Sequence, residues 1–118
     1  MTAAQLQTIL KAENLTPDVS LGGEVTCGYV CDLLSWVMAH GQKGMAWITV
    51  QTHINVIAVA VLMELSCIIL PEGLNLDEDA LQKATNEGIP VLRSNKAAFE
   101  LCGMMMEAGI LPTDDERI

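Results

Sequence analysis

From Ile54 to Leu70 the chain runs for 17 residues in which only Asn55, Glu64 and Ser66 interrupt an apolar sequence. A membrane-spanning helix needs about 20 residues almost free of charge. This run is shorter and carries Glu64 inside it, so it must be buried within a folded domain. Ile54–Leu65 is apolar around its whole circumference, which predicts a helix covered on most sides. Cys67–Leu70 then reads as a short strand sealed on both faces, as in parallel sheets, and Pro71 and Gly73 stop it.

The remaining elements follow the same alternation. Residues 3–13 place Leu6, Ile9 and Leu10 at helical spacing. Val25–Cys31 is β-prone, with Cys27, Tyr29 and Cys31 on one face and Thr26, Gly28 and Val30 on the other. Asp32–His40 is a helix closed by Gly41 and Gly44, and Ala46–Val50 a strand. Asp77 can cap a helix whose first turn holds Glu78 and Asp79, with Leu76 stapled onto Leu81 and Gly88 as its stop. Pro90–Leu92 is a further strand, Lys96–Ala108 the last helix, and 110–118 a frayed tail. Strands alternating with helices predict an α/β fold. The expectation is one domain, a mostly parallel sheet of about four to five strands with helices on both faces. A chain of 118 residues with 51% hydrophobic and 18% charged residues is neither disordered nor long enough to suggest two domains. Trp36, Trp47, Tyr29 and Phe99 are its only aromatic residues, so the core is aliphatic.

Six Lys and Arg against fifteen Asp and Glu give a net charge of −9. With no basic run, the chain is a poor match for nucleic acid or anionic lipid. The N-terminal residues lack a basic segment and an apolar core of the signal-peptide kind, so a cytoplasmic location is expected. Cys27, Cys31, Cys67 and Cys102 are then expected to be reduced and buried. Cys27 and Cys31, four apart on a strand, would stand roughly 13 Å from each other, too far to share a metal ion. No metal and no cofactor is expected.

Several loops together are informative. Val25-Thr-Cys-Gly-Tyr-Val30 enters the first crossover helix, and Trp47-Ile-Thr49 leads into a polar turn. Gly73 and the acidic helix Asp77–Glu87 follow, and then Gly88-Ile-Pro-Val-Leu92 runs on to Ser94 and Phe99. In this order, over about Glu24 to Gly109, the chain resembles the DRTGG domain family. These are small α/β domains similar to the N-terminal domain of bacterial HPr kinase/phosphorylase. The resemblance implies a regulatory or dimerising module, sometimes attached to nucleotide-sensing domains, and not an enzyme. Gln51-Thr52-His53 stands where many members carry a Gly-Asp-Arg type turn, so no arginine contact to an anion carries over. No phosphate loop is present either: Gly41-Gln-Lys-Gly44-Met has the wrong spacing and lacks a Lys-Ser/Thr pair, and ATP turnover is not expected.

Gln51, Thr52, His53 and Asn55 form the densest polar cluster in an oily chain and open its most apolar helix. Asp32 and Ser35 lie where the first strand gives way to its helix, and Ser94, Asn95 and Lys96 where the last helix begins. Each group has a simpler reading as a helix cap, with Asp32 accepting from the Ser35 amide. In a parallel sheet all three lie at the carboxyl edge, where ligands bind near a topological switch point. The expected ligand site is therefore Gln51, Thr52, His53 and Asn55, with Asp32, Ser35 and Ser94 beside them, for a small anionic metabolite or nucleotide. No nucleophile–base pair has supporting context, and Met63 and Met104–Met106 read as core filler. The leading expectation is a non-enzymatic regulatory domain acting as a homodimer, because Ile54–Leu65 has too few polar positions to face water. The alternative is an acidic accessory protein docking onto a redox enzyme complex, for example a hydrogenase-associated one. A small enzyme of unknown reaction is the third.

Overall fold

The computed structural model describes residues 1–113 and resolves the alternation into helices α1 (Ala3–Leu10), α2 (Leu34–His40), α3 (Ile54–Leu62), α4 (Glu78–Glu87) and α5 (Ala98–Glu107). Between them run strands β1 (Glu13–Asn14), β2 (Cys27–Val30), β3 (Met45–Ile48), β4 (Cys67–Leu70) and β5 (Val91–Arg93). The strands form one sheet in the order β1-β5-β4-β3-β2, parallel throughout except for β1. This is the expected α/β domain with a mostly parallel sheet.

Side-chain alternation along the strands divides the core in two. Met45, Trp47, Ile68, Leu70 and Val91 face a layer built from Val37 of α2, Val56 and Ile57 of α3, and Ala80 and Ala84 of α4. Ala46, Ile48, Cys67, Ile69 and Leu92 face Leu6 and Leu10 of α1 and Leu101 and Met105 of α5. All three crossover helices thus lie on one face, and β2, β3, β4 and β5 are laid down in a single direction across the sheet. Strand order never reverses among the parallel strands, so the expected topological switch point is not present among the described residues.

The first helix is shorter than its periodicity predicts. Thr2 and Gln5 close a capping box at its start, and Lys11 turns left-handed at φ 52° after Leu10. The chain can then reach the far edge, where Glu13 pairs with Arg93 and Asn14 with Leu92. The buried Thr16 hydroxyl accepts from the Val91 amide at 3.0 Å and secures this segment. The expected tail 110–118 is held over its first part: Ile110 is buried, and the Gly28 amide donates to the Leu111 carbonyl at 2.9 Å. Residues 114–118 lie outside the described residues. Gly88 ends α4 in the left-handed conformation as expected, but Asp77 precedes that helix without a side-chain cap bond.

Candidate ligand site at the carboxyl edge

The parallel register brings the ends of β2, β3, β4 and β5 to one edge, from which α2, α3, α4 and α5 depart. Helices departing from this edge direct their unpaired N–H groups and positive dipole ends toward it. Every residue proposed from the sequence lies along this edge.

Asp32 does not cap its own helix. Leu33 occupies that position without a side-chain cap, and the Asp32 carboxylate accepts instead from Thr49 Oγ1 and from the Val50 amide, each at 2.9 Å. Asp32 and Thr49 follow neighbouring strands, and the carboxylate bridges the two exits. Gln51 strengthens the bridge: its side-chain amide donates to the Asp32 carbonyl at 2.9 Å, and its backbone N–H donates to Thr49 Oγ1 at 3.2 Å. Thr49, 1% exposed, is the residue that sequence reasoning missed. Its signal was a single hydroxyl closing an apolar strand.

Thr52 reaches the next element. Its hydroxyl donates to Asp77 at 3.3 Å while its carbonyl accepts from the Asp77 amide at 3.0 Å, which ties the entry of α3 to that of α4. The capping position before α3 is His53, not Thr52, and the imidazole makes no cap bond. Asn55 is exposed in the first turn of α3, and Ser35 is exposed in the first turn of α2.

Ser94 is used differently. It is buried, its carbonyl accepts from Gly73 and its amide donates to Leu70, so it fastens the exit of β5 to the turn after β4. Its hydroxyl accepts from the Lys96 amide at 3.1 Å, and Ala97 is the residue that precedes α5. Nearby, Arg93 pairs with Glu13 and also donates to Asn75. The structure therefore joins Asp32 directly to Gln51, sets Thr52, His53 and Asn55 together at the head of α3, and places Ser94 in a separate polar turn.

Because Asp32 accepts two bonds that span strands, Asp32→Ala is expected to cost about 1–2 kcal/mol in urea unfolding. Ser35→Ala, which disturbs neither bond, should change stability by less than about 0.5 kcal/mol. Equal effects would mean that the carboxylate does not hold this edge together.

The described residues also form concave regions outside this polar cluster. A shallow hollow of about 530 Å³ opens at the opposite end of the strands, among Glu24, Thr26, Lys43, Gly44, Glu64 and Ser66. An apolar cleft of about 170 Å³ lies beside β2, between α5 and the Ile110–Pro112 segment. Among the described residues no group of three or more His, Cys, Asp or Glu is placed to hold a metal ion, and no helix is long and apolar enough to cross a membrane.

No protein-family model matches the chain, and no curated protein matches it. Among solved structures it is similar to the CBS and DRTGG domains of the regulatory region of Clostridium perfringens pyrophosphatase, determined in complex with the activator diadenosine tetraphosphate. The TM-score is 0.68 at 14% identity, covering 95% of this chain and 50% of that one. This chain thus spans about half the length of that regulatory region. At that identity the likeness is one of fold.

Proposed function

We propose that this chain is a cytoplasmic, non-catalytic regulatory domain that works as a homodimer and binds a small anionic metabolite at the carboxyl edge of its sheet. The observation that carries the reading is the fold likeness, along nearly the whole chain, to a regulatory region of CBS and DRTGG domains. That likeness agrees with the resemblance of the loops to the DRTGG family.

The geometry supports a place for the ligand. The head of α3 offers backbone N–H groups and the positive end of the helix, bordered by the imidazole of His53 and the amide of Asn55. Uncharged donors can orient a phosphate or carboxylate without the cost of burying a cation. Asp32, whose charge would oppose an anion, is turned into the bridge with Thr49 and Val50. The non-catalytic part of the reading is supported by how the other reactive groups are engaged. Asp32, Thr49 and Gln51 hold one another, and Ser94 holds a turn. Burial pushes the Cys67 thiol up to about 12, so it keeps its proton at neutral pH and is a poor nucleophile.

The test is thermal melting with diadenosine tetraphosphate, AMP, ATP and inorganic phosphate at a common concentration. A probe present at 100 times its dissociation constant stabilises by about 2.7 kcal/mol, a rise of roughly 8–16 °C in Tm. The doubly substituted His53→Ala, Asn55→Ala protein should lose that rise while its unliganded Tm stays within a few degrees of wild type. If no probe moves Tm, ligand sensing of this class is refuted. If the shift survives the double substitution, the ligand binds elsewhere, with the hollow near Gly44 as the first place to look.

A further inference from the structure

We infer that two copies of this chain meet through the outer face of α2 and α3. The inference rests on the dimeric reading above and names the surface responsible. Those two helices lie side by side on one face of the sheet, and their sequences, LSWVMAH and INVIAVAVL, contain no Asp, Glu, Lys or Arg. Elsewhere the chain carries its net charge of −9, with Glu78, Asp79 and Glu87 on α4 and Glu100 and Glu107 on α5.

The exposed side of this pair is uncharged and mostly apolar, with Ser35 and Asn55 as polar groups in the first turns. On α3 the sheet takes Val56, Ile57, Val59 and Ala60, which leaves Ile54, Ala58, Val61 and Leu62 as an outward stripe at helical spacing, with Asn55 as the polar residue at its head. Leu62 is 63% exposed. On α2, Trp36 and Met38 are about half exposed on either side of the buried Val37, and Leu33 stands open at the helix start. Trp36 is also fixed in place: its indole donates to the Tyr29 hydroxyl at 2.8 Å, and its ring lies 4.1 Å from that of His40. A rigid aromatic amid open aliphatic side chains suits an interface core, from which charged residues are depleted.

Charge selects the occupant. Two molecules of net charge −9 repel each other, and contact through α4 or α5 would set carboxylate against carboxylate. A two-fold contact places the same patch on both sides, so a neutral apolar patch is complementary to itself. A patch meant for a partner of opposite charge would instead carry the acidic side chains found on α4. The competing apolar surface is the cleft beside β2, with Val30, Met106 and Leu111 in its lining and Phe99 exposed on the same helix as Met106. There Glu100 and Glu107 share the helix with the apolar groups.

Light scattering of the full chain at about 50 µM separates the possibilities. Wild type should be a dimer, Leu62→Glu a monomer with at least a tenfold weaker association, and Phe99→Glu a dimer like wild type. Ile54→Glu provides a second variant on the same stripe, and circular dichroism of each confirms the fold. In wild type, acrylamide quenching should fall as concentration rises, since Trp47 is fully buried and Trp36 is the accessible indole. Loss of the dimer in Phe99→Glu but not in Leu62→Glu or Ile54→Glu overturns this surface and leaves the dimeric reading standing. A wild-type monomer with concentration-independent quenching overturns both.

Discussion

Trp47→Ala is expected to destabilise the domain by about 3–5 kcal/mol, the range for removing a large aromatic from a close-packed core. Trp47 is completely buried and is among the largest side chains in the core. It stands on β3 between Tyr29 of β2 and Ile68 of β4 and faces the layer of α2, α3 and α4. Its indole N–H also donates to the Cys31 carbonyl at 2.7 Å, just before the chain turns into α2. The substitution therefore opens a cavity and leaves a carbonyl without its partner. Trp47→Phe separates the two effects: most of the volume returns, and the lost bond should account for about 1–3 kcal/mol. Trp36→Ala removes the same side chain from an exposed position and should cost less than about 1 kcal/mol. Urea unfolding in the Leu62→Glu background, where the chain is expected to be monomeric, checks all three, because association through the face that holds Trp36 would otherwise add to apparent stability. A cost below about 2 kcal/mol for Trp47→Ala would mean that the two helical layers close over the gap.

The contrast between the two tryptophans shows what could be read from the chain and what could not. Trp47 lies in a run of apolar residues that only a doubly covered strand explains, so its burial was legible from its neighbours. The same holds for Cys67–Leu70 and for the layers of α3 and α4. What was not legible depends on partners far along the chain. β1 is two polar residues, Glu13 and Asn14, with no apolar pattern of their own. They form a strand because Arg93 reaches Glu13, 80 residues away, and because Thr16 receives the Val91 amide.

The candidate site divides in the same way. Strand direction placed Asp32, Gln51 and Ser94 at one edge, and the structure agrees. The spacing from Asp32 to Ser35 suggested a local cap, yet the carboxylate bonds to Thr49 and Val50 across the sheet. A local capping motif and a bridge between strands share the same residue type, and only the register of β2 against β3 decides between them. Ser94 likewise reads as a cap from its neighbours, but its backbone closes the turn at Gly73.

Gly44→Ala is the second large effect, and Gly88→Ala is its control. Both glycines have left-handed backbones, at φ 81° and 73°, so alanine at either position pays about 1 kcal/mol for conformation. Their surroundings differ. A Cβ at Gly88 would meet nothing within 4 Å, whereas at Gly44 it would stand 2.7 Å from Thr26 Cγ2 and 2.8 Å from Thr26 Oγ1. Thr26 cannot swing aside freely, because its hydroxyl donates to the Lys43 carbonyl at 2.7 Å. The backbone is equally held: the Gly44 amide donates to Glu64 and its carbonyl accepts from Thr26, each at 2.9 Å. Gly44→Ala should therefore cost about 2–4 kcal/mol against about 1 for Gly88→Ala, a lowering of Tm by roughly 6–24 °C against 3–6 °C. Thr26→Ser in the Gly44→Ala background removes Cγ2, the nearer of the two colliding atoms, and should restore part of the loss. Equal Tm changes for the two glycines would show that conformation alone sets the cost and that the Thr26 contact yields without resistance.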